Sequence, residues 1–132
     1  MAQRKPINVA EWKAAAKLLK NARRLIERDG WQQGSTIDVR TNCVATALER
    51  ALKESNYSLV DFNYAREALS QVLNVRRDPA KLKGDPRAVP YWGRELIDWN
   101  DKKGRTEREV LDLYARASAL ADSLSAEAAG HE

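Results

Sequence analysis

The chain has a single cysteine, Cys43, and a single histidine, His131, and this scarcity closes off much of the usual chemistry. A nucleophilic thiol needs a nearby base to reach its thiolate form. The one imidazole lies next to the end of the sequence, in a stretch from 126 to 132 that is expected to fray. Cys43 is therefore expected to be a buried, inert core residue. A lone cysteine also cannot form an intramolecular disulfide, which fits a reducing cytoplasm. One Cys and one His are too few for a zinc site, so no metal is expected. Six glycines and four prolines exclude collagen-like and low-complexity readings, and no glycine-rich phosphate loop is present to hold a nucleotide cofactor. No apolar run approaches the roughly 20 residues that span a bilayer, so no membrane contact is expected. Met1 to Pro6 is basic but no greasy segment follows, so no secretory leader is expected.

What is there in quantity is helix-forming sequence. The chain has 132 residues, 43% of them apolar and 32% charged, which suits one globular domain. In the first segment Trp12, Ala15, Leu19, Ala22 and Ile26 step by three and four, drawing a seam down one face of a helix. Asn8 with Glu11 has the form of a capping box, and Gly30 suits the left-handed position beyond the last turn near Asp29. A polar loop follows from Gln32 to Thr41. A second helix is expected from a Thr41 or Asn42 cap to about Glu54, burying Val44, Ala47, Leu48, Ala51 and Leu52. Ser58 with Asp61 opens a third, carrying Phe62, Ala65, Leu69, Val72 and Leu73 inward and ending near Asn74. No alternation of period two persists long enough for a β-hairpin.

Residues 76 to 89 differ in character, with Pro79, Gly84 and Pro86, and read as a long loop that ends at Pro90. Pro90 suits the first position of a short fourth helix with Trp92, Leu96 and Trp99. Thr106 with Glu109 caps the last helix, expected to about Ser125, with Val110, Leu113, Ala117, Leu120 and Leu124 along its seam. The first and last seams match in length and period, and each carries small residues (Ala15, Ala22, Ala117) that let backbones approach. The expected fold is all-α: a compact bundle of about five helices in one domain, with the first and last long helices packed lengthwise.

The most distinctive stretch runs from Trp99-Asn100-Asp101 to Gly104-Arg105-Thr106. As a corner, Asn100 would end one helix in a left-handed conformation, Gly104 would supply a positive φ, Thr106 would cap the next helix, and Asp101 would pair with Arg105. As a site, the same residues offer an amide, a carboxylate and a guanidinium beside an indole. The acidic residues near helix ends, among them Asp98, Asp101, Glu107, Glu109 and Asp112, suit the helix dipole or solvent better than acid–base catalysis. No catalytic constellation emerges, and an enzyme is not expected. Gly30-Trp31-x-Gln33-Gly34, Cys43 with Ala47-Leu48, and Trp99-Asn100-Asp101…Gly104-Arg105-Thr106…Glu109-Val110-Leu111 together resemble an uncharacterised family. Its members are small α-helical proteins of actinobacteria and their phages. The resemblance spans about residues 12 to 121 and implies a helical fold and a phage or prophage source. It brings no assigned reaction.

Charge offers a second surface. Residues 1 to 53 hold eleven Lys and Arg against five acids, whereas residues 54 to 132 hold twelve against fourteen. Lys13, Lys17, Lys20, Arg24 and Arg28 fall within an arc of about 80° opposite the first helix's seam. Such a ridge could follow a phosphate backbone, extended by Arg76, Arg77, Lys81, Lys83 and Arg87, or could simply solvate an outer face. A helix-turn-helix made of the last two helices is excluded, because the last helix would meet phosphates with Glu107, Glu109, Asp112 and Asp122. Four of the nine aromatics are tryptophan, and Trp beside Arg is a composition typical of protein interfaces. The expected function is that of a non-enzymatic cytoplasmic interaction protein, a phage-type accessory that engages a protein partner through Trp31, Gln33, Trp99, Asn100, Asp101 and Arg105. Non-specific nucleic-acid binding along the first helix is the alternative, and self-association through leftover apolar surface is compatible with either.

Overall fold

The computed structural model describes residues 8–33, 43–73 and 94–130. Among these, five helices follow in chain order: α1 (Val9–Asp29), α2 (Val44–Lys53), α3 (Leu59–Val72), α4 (Arg94–Asp101) and α5 (Glu107–Ala129), with no strand. The long loop at 76–89, most of the polar loop before α2, and the Pro90 and Trp92 positions lie outside the described residues.

Helix α1 sits at the centre, packing on α2, α3 and α5. The seam read from the sequence is the middle of a broader face: Ala15, Leu19, Ala22 and Ile26 are buried, and so are Ala16, Leu18 and Leu25. A helix flanked by three neighbours needs an apolar arc wider than a single stripe. Helix α5 lies along it and runs antiparallel. At one end Ser125 Oγ donates to the Val9 carbonyl at 2.9 Å. At the other, Trp31, just past α1, bonds to Asn100, just ahead of α5. Ala15, Ala22, Ala117 and Ala121 are fully buried, as close backbone approach requires.

The buried face of α5 departs from the expected seam. Val110, Leu113 and Ala117 point inward, but beyond them Ala121 and Ser125 take the core positions while Leu120 and Leu124 are only half-buried. Ala121 and Ser125 are small enough to let α5 approach α1 closely, and at that distance Ser125 Oγ reaches the Val9 carbonyl. Helix α5 continues to Ala129, past the point where fraying was expected.

Helix starts divide into those set locally and those set by tertiary partners. Ser58 accepts from the Asp61 amide at 3.2 Å and Asp61 accepts from the Ser58 amide at 3.1 Å, as the sequence predicts. At α1 the capping box fails. Asn8 has φ 71° and makes no side-chain cap, because its Oδ1 accepts from the Tyr64 hydroxyl at 2.6 Å. Tyr64 itself meets the edge of Trp12, with ring centroids 4.9 Å apart. At α2 the cap is Cys43, neither Thr41 nor Asn42. Its Sγ accepts from the Thr46 amide at 3.4 Å and its own amide donates to Thr46 Oγ1 at 2.8 Å. Cys43 is thus a half-exposed cap, not the core residue expected. Below it Tyr114, fully buried, donates its hydroxyl to the Val44 carbonyl, and burial pushes the phenol well above its ordinary pKa.

Asp29 ends α1, where a carboxylate opposes the helix dipole. Arg28 holds it at 2.9 and 2.7 Å, and Arg50 of α2 at 3.0 Å. The Arg28 hydrogen bonds lead in drawing the carboxyl down to about 2, with Arg50 adding to them against partial desolvation.

Candidate functional site

The residues singled out near Trp99 do come together, and Asn100 is the reason. Its side chain is 1% exposed. The Oδ1 accepts from the Trp31 indole at 2.7 Å and from the Val44 amide, the first of α2, at 3.0 Å. The Nδ2 donates to the Gln32 carbonyl at 3.2 Å and to Asp101 Oδ1 at 3.0 Å. Two acceptor and two donor positions are all that an amide side chain has. One residue therefore ties the end of α1, the start of α2 and α4 together. It does so from inside α4, in helical conformation; the left-handed geometry expected of it does not occur, since Asn8 is the one non-glycine with positive φ among the described residues.

The carbonyls at the end of α4 are collected by neighbours, as helix ends require. Gln33 Nε2 donates to the Asn100 carbonyl at 3.1 Å and to the Lys102 carbonyl at 2.7 Å. Arg105 Nε donates to the Trp99 carbonyl at 2.8 Å. Gly104 turns the chain with φ +88°, as expected. Thr106 and Glu109 form the expected box: Glu109 Oε1 accepts from the Thr106 amide at 2.9 Å, and Thr106 Oγ1 from the Glu109 amide at 3.2 Å. The Thr106 amide leads in holding the Glu109 carboxyl below its usual range, with the Thr106 hydroxyl and Arg105 assisting.

Arg105 closes the corner differently from the expected Asp101 pair. Its Nη1 meets Glu109 Oε2 at 2.9 Å, and its guanidinium lies 3.9 Å from the centroid of the Trp99 ring. Asp101 contributes through Asn100. The stacked Trp99–Arg105 pair borders an open groove of about 440 Å³ between the end of α3, the end of α4 and the first turns of α5. Leu73 and Leu113 add apolar lining, while Arg108, Asp112 and Arg116 supply charge. Of the six candidate partner-binding residues, Trp99 and Arg105 face this groove. Trp31, Gln33, Asn100 and Asp101 do not line it; their hydrogen bonds fix the corner beside it. Sequence reasoning did not assemble Leu73, Arg108, Asp112, Leu113 and Arg116 into a site. The signal was faint: Arg108, Asp112 and Arg116 recur every four residues, one above another on the helix.

The second candidate surface is present in part. Lys13, Lys17, Lys20, Arg24 and Arg28 are all exposed on α1. Lys20 pairs with Asp122 of α5 at 3.2 Å and Arg28 with Asp29, so two of the five already face an acid. Arg76, Arg77, Lys81 and Lys83 lie outside the described residues. Among the described residues no group of three or more His, Cys, Asp or Glu is placed to hold a metal ion, and no helix is long and apolar enough to cross a membrane.

An antiparallel α1–α5 pair closed by shorter helices, with a buried amide tying one end, defines this molecule as a small all-α bundle. The chain belongs to the DUF6197 family, a family of unknown function whose model matches residues 10–120. That span takes in the whole Asn100 network and the Trp99–Arg105 corner. No curated protein and no solved structure matches the chain.

Proposed function

We propose that the chain is a non-enzymatic binding protein that engages a protein partner at the end of the bundle where Trp99 and Arg105 stack. The observation that carries this reading is the stacked pair itself, 3.9 Å apart and bordering an open groove. Trp and Arg are the side chains that most often concentrate binding energy, and a rigid anchor loses little entropy when a partner docks. The Asn100 network supplies that rigidity, because every polar atom of its side chain is engaged. The finer proposal, a phage or prophage accessory protein acting in the cytoplasm of an actinobacterial host, rests on the resemblance carried by the Trp99-Asn100-Asp101 and Gly104-Arg105-Thr106 block.

Nucleic-acid binding along α1 is the second reading, supported by the exposure of all five ridge cations. Affinity capture from host lysate, with and without nuclease, separates the two. Protein-partner binding predicts nuclease-resistant capture that Arg105→Ala weakens, at a temperature where the variant keeps its helical circular dichroism, and that Lys13→Glu with Lys17→Glu leaves intact. Retention on a DNA column at about 150 mM salt, lost steeply as salt rises, would favour the second reading instead. Failure of both captures contradicts the binding reading altogether.

A further inference from the structure

Along α5, Arg108, Asp112 and Arg116 stand one above another at intervals of four residues, and all three line the groove. Their engagement is uneven. Arg116 is 3.9 Å from Asp112, with both side chains about two-thirds exposed, a geometry that contributes little. Arg108 has no ion-pair partner among the described residues. Arg105 is nearly covered and committed to Glu109 and the Trp99 ring. The groove therefore presents two accessible guanidiniums, on backbone positions about 12 Å apart along the helix, on either side of Asp112. The other lining carboxylate, Glu109, is paired with Arg105. Beside them lies an apolar surface of Leu73, Trp99 and Leu113.

We infer that the groove takes an acidic peptide segment of the partner protein, one that places two carboxylates about 12 Å apart around a large apolar side chain. The inference rests on the protein-binding reading above and names the chemistry of the partner. A guanidinium pairs with a carboxylate through parallel hydrogen bonds, and Arg108 and Arg116 each have that capacity free or barely used. The volume, about 440 Å³, matches one or two large side chains and is small for a folded domain to enter. Asp112 between the two arginines sets the occupant's character. A uniform polyanion such as a phosphate backbone would be repelled at the middle of the row, whereas carboxylates spaced two turns apart pass on either side of it.

The test is selection of a random displayed peptide library on the full chain, with the Arg108→Glu plus Arg116→Glu variant as counter-target. Both positions are exposed, and only Arg108 lies in the first turn of α5, where an acid suits the helix dipole. The added repulsion with Asp112 is a small effect between exposed side chains, so the variant is expected to keep its fold, checked by circular dichroism. The expected result is enrichment of peptides with paired Asp or Glu around Trp, Phe or Leu. Their binding weakens at least tenfold on the double variant and strengthens on Asp112→Asn, a gain that misfolding cannot imitate. Enrichment of basic peptides, binding indifferent to both variants, or no enrichment would overturn the inference. Lysate capture that survives in the double variant would remove the groove but leave protein binding standing; absence of any lysate capture would remove the broader reading itself.

Discussion

Asn100 uses all four hydrogen-bonding positions of its buried side chain to tie three segments together. Asn100→Ala leaves the Trp31 indole and the Val44 amide without their acceptor in a buried setting. It is expected to lower unfolding free energy by about 2–4 kcal/mol in urea titration. Trp31→Phe removes one of those donors, so the double variant should lose less than the two single losses combined. A loss below about 1 kcal/mol would show that the network contributes little. Tyr114 gives a pH signature. Its phenol is raised by burial, so its contribution is complete below pH 10 and is lost as pH climbs beyond it, where the unfolded chain ionises first. Tyr114→Phe should therefore flatten the alkaline limb of the stability profile. At this scale the sequence was least transparent. Asn100 follows Leu96 by one turn on the buried face, so a polar residue at an apolar register was visible. What it bonds to came from segments 56 to 69 residues away, which no local pattern encodes.

The elements themselves were far more legible, because spacing and caps act within a few residues. The α3 and α5 starts follow from Ser58…Asp61 and Thr106…Glu109, and the α1 face follows from its three-four spacing. Misses occurred where a tertiary contact outbid a local one: Tyr64 takes the Asn8 side chain from its cap, and Ser125 draws α5 onto α1 at small residues. The Cys43 cap was missed for another reason, since a thiol is a weak acceptor and does not announce a helix start. Cys43→Ser, with a stronger acceptor in the same place, is expected to hold stability or raise it slightly, while Cys43→Ala should cost about 0.5–1 kcal/mol in the same titration. Gly104 isolates backbone strain from packing. A Cβ there would meet nothing within 4 Å, yet φ is +88°. Gly104→Ala is thus expected to cost about 1 kcal/mol or somewhat more, and a neutral outcome would mean the corner relaxes.

For the whole molecule, the lengthwise pairing of the terminal helices was readable from two matching seams, and it places the cationic ridge and the Trp99–Arg105 corner on different parts of the surface. The groove was not readable, since it needs the ends of three helices to converge. Acid unfolding reports on the Asp29 carboxylate, held first by Arg28 beside it and then by Arg50 of α2. Asp29 is held near 2, so its contribution is full above its unfolded pKa near 4 and disappears as pH falls toward 2. Asp29→Asn should make stability less dependent on pH in that window. The central claim, that partners dock at the corner and not along the ridge, is tested most directly by the Trp99 indole N–H and the Lys13, Lys17 and Lys20 backbone amide resonances of the full chain when nuclease-treated host partner is added. The Trp99 indole is predicted to shift, while the Lys13, Lys17 and Lys20 amides on the exposed ridge of α1 stay in place. Movement of the ridge amides with the Trp99 indole unchanged would contradict it.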